Sequence, residues 1–254
     1  LRRLHRKVVV IDGRVAVVGG INVVDDFDAG ALAHPRYDYA VRVEGPLLEP
    51  IVASAQRLWR LVAWASLRHR DLQPLLAPPH VQPAGEIRAA FVVRDNLRYR
   101  HAIENAYLEA IGGARDEIVI ANAYFFPGRR FRQALVDAAE RGVRVTLLLQ
   151  GLSDHPLQAY ATRALYPMFL ARGIRLFEYH RSHLHAKVAV VDRQWSTVGS
   201  SNIDAFSLLL AREANVVVDD RAFAGRLRAS LEAAICAGAR ELKPSDWQRL
   251  PLLR

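Results

Sequence analysis

The chain repeats itself. Residues 5–22 read HRKVVVIDGRVAVVGGIN and residues 185–202 read HAKVAVVDRQWSTVGSSN, at a constant offset of 180 residues with no gap. The identical pairs are His5/His185, Lys7/Lys187, Val8/Val188, Val10/Val190, Asp12/Asp192, Val18/Val198, Gly19/Gly199 and Asn22/Asn202. A recurring core strand would account for the valines. It would not account for His, Lys and Asn, which are costly to bury unless paired. The fold must therefore accommodate two related units that keep the same polar residues.

Each copy reads as an apolar strand, a turn, a second strand and a Gly/Ser loop. Asp12-Gly13 is a strong hairpin signal. Val8–Ile11 and Val188–Val191 are continuous apolar runs, which predicts strands buried on both faces. Side chains at i and i+2 of a strand share a face, so His5 aligns with Lys7 and His185 with Lys187. Upstream of the second copy, strands are expected at Glu117–Asn122, Val143–Gln150 and Ile174–Tyr179. Between them fall helices at Arg129–Arg141 and at Leu157–Arg172, the latter kinked at Pro167. This alternation predicts a largely parallel arrangement with helices on its faces. A strand at Ala214–Val218 and a helix at Arg221–Ala237 follow the second copy. A strand at Tyr39–Val43 and a helix at Leu47–Leu67 follow the first.

Nothing comparable precedes the first copy. Only four residues stand before His5 and the chain opens on Leu1. The first repeat is thus expected to be truncated at its N-terminus by roughly 100 residues, the size of a small domain. The reading divides the chain into residues 1–70, the later half of a first repeat; a proline-rich linker over 71–86; and a second repeat over 87–254. Activity of this stretch by itself is not implied.

The formal net charge is +9, suited to a polyanionic partner. Lysine is rare: of 35 basic residues only Lys7, Lys187 and Lys243 are lysines, and two of those stand two places after a histidine. Cys236 is the only cysteine, which excludes an internal disulfide and a cysteine zinc cage. No apolar run approaches the ~18 residues needed to span a bilayer.

The doubled pattern is His-x-Lys-x-x-x-x-Asp followed by Gly-x-x-Asn. A histidine can act as nucleophile or base when neutral and as acid when protonated. A lysine on the same strand face supplies fixed positive charge for a phosphate oxygen. A Gly/Ser loop presents backbone N–H groups and asparagine adds an amide donor. Two facing copies would set one imidazole on each side of a phosphorus, which suits double displacement. With the lysines in place no metal and no cofactor is required.

These motifs resemble the phospholipase D superfamily, whose signature is the duplicated HxKxxxxD with a downstream Gly-x-x-Asn. The flanking segments VGGIN, DYAVRVEGP, ANAYFFPG, LFEYHRSHLHAKVAVVD, TVGSSNID and EAN are similar to the bacterial cardiolipin synthase branch, in its shorter form without N-terminal membrane helices. The resemblance implies a pseudo-twofold α/β fold, mixed sheets flanked by helices, with the site between the repeats. It implies catalytic positions at His5, Lys7, Asp12, His185, Lys187 and Asp192, the two aspartates being structural in the family. Phosphate would be bound by Asn22, Asn202 and Ser200, and the histidines oriented by Asp38 and Glu213. Gly20 departs from the pattern, standing where the second copy has Ser200. In several members the first histidine attacks, which favours His5 as nucleophile.

The implied activity is a phosphatidyltransferase that makes cardiolipin from phosphatidylglycerol through a phosphohistidine. The implied partner is anionic phospholipid, met peripherally on the cytoplasmic face of the membrane, with no nucleic acid. The rivals are a hydrolytic phospholipase D or nuclease of the same superfamily, and a non-catalytic module binding anionic lipid or nucleic acid. Of the remaining histidines, His34, His69, His80, His101 and His155 show no metal spacing. His180 and His183 precede the second motif, where His183-Leu-His185 could suggest a metal, but with no Cys or acid cluster beside it a position on the rim of the site is favoured. Arg129, Arg130 and Arg132 read either as a solvated helix face or as contacts to anionic headgroups. Leu47–Leu67, with Trp59 and Trp64, has an interfacial composition, and the amphipathic-helix reading is favoured.

Overall fold

The computed structural model describes residues 3–23, 34–66, 77–95, 99–152, 155–204 and 211–248. In chain order the elements are β1 (Arg3–Leu4), β2 (Lys7–Ile11), β3 (Val15–Gly19), β4 (Ala40–Val43), α1 (Leu48–Ala65), β5 (Arg88–Arg94), α2 (Ala102–Gly113), β6 (Glu117–Asn122), β7 (Phe125–Phe126), α3 (Arg129–Glu140), β8 (Arg144–Gln150), α4 (Pro156–Arg163), α5 (Tyr166–Ala171), β9 (Arg175–Tyr179), β10 (Lys187–Val191), β11 (Trp195–Gly199), β12 (Ile203–Asp204), β13 (Ala211–Asp219), α6 (Arg221–Gly238), β14 (Ala239–Leu242) and α7 (Pro244–Gln248). Seven of these, β1, β5, α2, β7, β12, β14 and α7, have no counterpart in the sequence reading. The helix expected over Leu157–Arg172 is two helices. Pro167 sits in the first turn of α5, where its missing N–H leaves no bond unmade.

The larger sheet runs β13-β11-β10-β6-β8-β9-β14, with β1 and β5 both pairing β13. Only β6, β8 and β9 form the expected parallel core; β10, β11, β14 and β5 join antiparallel, so the sheet is mixed. Helices α2, α3 and α5 cover one face through Ile111, Leu135 and Phe169. The other face packs against α6 and against the first repeat's sheet, β2-β3-β4. Ala16, Val18, Val41 and Val43 there meet Val188, Val190, Val198 and Val216. Burial of each such valine contributes about 1.5–3 kcal/mol.

This packing separates the two copies. In β10 all five residues are buried, as expected of a strand between β6 and β11. In β2 the expectation fails: Val9 and Ile11 are 49% and 50% exposed. Among the described residues β2 pairs with β3 alone, and only its inward face, Val8 and Val10, packs against the core.

The hairpins of both copies turn through left-handed backbone. Asp12 and Gly13 have φ of 51° and 66°, and Asp192 and Arg193 have 51° and 52°. Asp192 is fixed there by three backbone N–H donors, those of Arg115 (2.9 Å), Asp116 (2.8 Å) and Glu117 (3.0 Å). Burial opposes its ionisation, but the three donors outweigh burial and hold its carboxyl below the ordinary value. Asp192→Ala is expected to cost about 2–3 kcal/mol in denaturant unfolding. The contribution exists above the ordinary aspartate range and is lost as pH falls through the lowered value, so variant and parent should converge in acid.

Candidate active site

Each motif histidine follows a residue paired in parallel with the opposite repeat. Leu4 pairs Arg212 and Leu184 pairs Tyr37. The His5 amide donates to the Arg212 carbonyl at 3.1 Å, and the His185 amide to the Tyr37 carbonyl at 2.8 Å. The next residue on each partner segment is an acid. Thus His5 Nδ1 lies 3.0 and 3.1 Å from the two carboxylate oxygens of Glu213, and His185 Nδ1 lies 2.6 Å from Asp38 Oδ2. The pairing is reciprocal: the first repeat's histidine uses the second repeat's acid, and the converse. With Nδ1 committed to a carboxylate, Nε2 of each ring has no protein partner among the described residues.

The lysines reinforce the same geometry. Lys7 Nζ donates to the His5 carbonyl at 2.9 Å, and Lys187 Nζ donates to the His185 carbonyl. Lys187 is wholly buried, and burial pushes its ammonium down to about 7 against the pull of Asp38 and Glu213, with Lys7 and Arg36 adding repulsion. Burial also lowers Lys7, opposed by Glu213 and Asp38. His185 is lowered by burial, partly offset by its bond to Asp38. Because these groups act on one another across the repeats, both half-sites belong to one charged cluster. A cavity of about 190 Å³ opens beside it, lined by Ile21, Asn22, Arg36, Asp38 and His185.

The Gly20/Ser200 difference has a steric cause. Ser200 Oγ donates to Glu213 Oε2 at 2.5 Å and accepts the Ala214 amide at 3.1 Å. At Gly20 a Cβ would lie 2.4 and 2.6 Å from the Asp38 carboxylate oxygens. Serine therefore accompanies the longer glutamate and glycine the shorter aspartate. Gly20→Ala should displace Asp38 from His185 and lower turnover by about 10²-fold, with the thermal melt and far-UV dichroism of the parent.

Of the positions named from the sequence, the structure gathers His5, Lys7, Asp38, His185, Lys187, Ser200 and Glu213, and brings Asn22 to the cavity. Asn202 is buried, and its Oδ1 has no partner among the described residues. Asp12 and Asp192 do not reach the imidazoles; they stand at the hairpin ends of β2 and β10, the motif strand being roughly 16 Å long at 3.3 Å per residue. Asp192 builds the turn. His183 is half-buried, with Nδ1 2.8 Å from the Leu152 carbonyl, and His69 lies outside the described residues. Among the described residues no group of three or more His, Cys, Asp or Glu could hold a metal ion.

Two arginines escaped the sequence reading. Arg94 is wholly buried, 3.9 Å from Glu213 Oε1, and only the pairing of β5 with β13 puts it there. Arg36 lines the cavity, and its i−2 spacing from Asp38 was a usable signal.

Fold and site together define a protein of the phospholipase D type, two α/β repeats sharing one basic, histidine-bearing centre. Residues 107–235 match the family model described as cardiolipin synthase, PLD-like domain, and the chain belongs to that family. It is 43% identical over 251 residues to cardiolipin synthase B of Escherichia coli K12, covering 95% of this chain and 58% of that relative. It is 31% identical to cardiolipin synthase A of Pectobacterium atrosepticum, covering 98% of this chain and 51% of that relative. The chain thus spans little more than half the length of these relatives. Among solved structures, phosphatidylserine synthase of Haemophilus influenzae Rd KW20 superposes with a TM-score of 0.70 at 11% identity, over 96% of this chain and 64% of that one. The phospholipase D family member Nuc of Salmonella typhimurium superposes with a TM-score of 0.54 at 21% identity, over 62% of this chain and 99% of that one. Both likenesses concern the fold.

Proposed function

We propose that the chain carries the phosphoryl-transfer centre of a phosphatidyltransferase that makes cardiolipin from phosphatidylglycerol. The supporting observation is the reciprocal pair of imidazoles, each held at Nδ1 by the other repeat's carboxylate. In the first half-reaction His5 Nε2 attacks the phosphorus, forming a P–N bond as the P–O bond to glycerol breaks. Protonated His185 gives its Nε2 proton to the departing glycerol oxygen. In the second, neutral His185 takes the proton from a hydroxyl of another phosphatidylglycerol. That oxygen attacks the phosphorus, the P–N bond breaks, and cardiolipin leaves with both histidines restored. Glu213 and Asp38 orient the rings. Lys7 and Lys187 offset the charge gathering on the phosphoryl oxygens, helped by Asn22, Asn202 and the Ser200 loop.

The proposal includes the organisation read from the sequence: residues 1–70 and 87–254 as two repeats joined by 71–86, of which 71–76 lie outside the described residues. It places the protein peripherally on the cytoplasmic face of the membrane, acting on phosphatidylglycerol and not on nucleic acid. No described helix is long and apolar enough to cross a membrane. The test is incubation with phosphatidylglycerol vesicles and, separately, with DNA. Cardiolipin and glycerol in equal amounts are expected. Phosphatidic acid without cardiolipin would make the protein a hydrolase, and DNA cleavage a nuclease.

A further inference from the structure

We propose that helix α4 seats the protein on an anionic bilayer, with the mouth of the site turned toward the lipid. Strand directions set up the surface. Because β10 runs antiparallel to β6 and β8, the segments after β6 and β8 emerge at the end where His185 enters β10. Helix α4 follows β8 directly. The intervening Leu152 carbonyl lies 2.8 Å from Nδ1 of His183, two residues before His185. At the start of the helix the His155 ring packs 5.6 Å from that of Tyr124, in the segment after β6.

What α4 exposes is apolar. Leu157 is 82% exposed and Tyr160 69%, three residues apart and so on one helix face. Thr162 is the only buried residue of α4. Arg129 and Arg130 are exposed at the start of α3, which follows β7 at this same end. An aliphatic side chain, a tyrosine and arginines at the same end of the sheet as the basic site match the layers of an anionic membrane surface: acyl boundary, headgroup and phosphate. The chain's +9 charge acts in the same direction. This reading rests on the lipid-directed function above, because it gives that site its approach to the substrate.

The experiment places an environment-sensitive fluorophore at Leu157→Cys in a Cys236→Ser background. The labelled chain is mixed with vesicles of phosphatidylcholine, with or without phosphatidylglycerol. A blue-shifted, brighter emission is expected with phosphatidylglycerol vesicles and little change without it. The unlabelled double variant Leu157→Ser/Tyr160→Ser should sediment with those vesicles at least about tenfold more weakly than the parent, while cleaving a water-soluble aryl phosphodiester as the parent does. Three results overturn the proposal: a label left in water while the chain sediments, a double variant that sediments like its parent, or no sedimentation at all. A shift without vesicles that grows with protein concentration would instead assign the face to a second copy of the chain. Docking is read without turnover, so intact docking with no cardiolipin formed counts against the transferase reading alone.

Discussion

Replacing either His5 or His185 by alanine is expected to lower phosphatidyl transfer by about 10⁴-fold or more, and replacing both should cost little further. Non-additivity follows from the chemistry. Once the attacking ring or its partner is gone, the remaining imidazole has no step to assist. The two single variants should nevertheless differ with a donor whose leaving group is nitrophenolate, which departs without a proton. Such a donor bypasses the general acid and not the nucleophile. His185→Ala should then still form an acid-labile phosphoenzyme and release nitrophenolate, whereas His5→Ala should do neither. The reverse pattern would exchange the two roles. Label retained in both variants would place the covalent intermediate elsewhere. Glu213→Gln and Asp38→Asn supply the control: each keeps a partner at Nδ1 but removes the charge that stabilises an imidazolium, so each should weaken mainly the step in which its own histidine is protonated.

The constellation was legible because it was written twice. A lone HxK on a strand has many innocent explanations; a second copy at the same spacing has few. Asp38 and Glu213 were found by resemblance. Their exchange between repeats could not be read from spacing, because it depends on Tyr37 pairing with Leu184 and Arg212 with Leu4 across about 150 to 210 residues of chain. Arg94 was invisible for the same reason: its partner is set by β5 adding to β13, and β5 itself lacks a strong alternating pattern. The failed expectation at β2 is instructive in the opposite sense. Val8–Ile11 and Val188–Val191 carry almost the same residues, yet among the described residues one strand lies between two neighbours and the other lies against β3 alone. Apolar content records what a strand is suited to cover, and its neighbours decide what is covered.

The second large effect concerns Lys187. An ammonium with no exposure, hydrogen-bonded to the His185 carbonyl, carries the full penalty of burial, and it stands at about 7 against an ordinary 10.5. Asp38 and Glu213 favour its charge; Lys7 and Arg36 oppose it. Between those two values the unfolded chain binds more protons than the folded one. Stability attributable to this group therefore rises with pH across that window, and the penalty is complete below it. An anion in the cavity reverses the balance by supplying the missing counter-charge. Binding of glycerophosphoglycerol, a diester of constant charge, should take up close to one proton at about pH 8.5 and far less near pH 6, where the lysine is already charged. Calorimetry in buffers of different ionisation enthalpy reads this uptake directly. Affinity should fall by up to about tenfold per pH unit above 7. Lys187→Gln should reduce both the slope and the uptake to what His185 and Lys7 contribute, and lower kcat/KM by about 10²–10³-fold. Uptake that persists unchanged in the glutamine variant would mean that another group answers the phosphate, and Lys7, the matching residue of the other repeat, would be the next to replace.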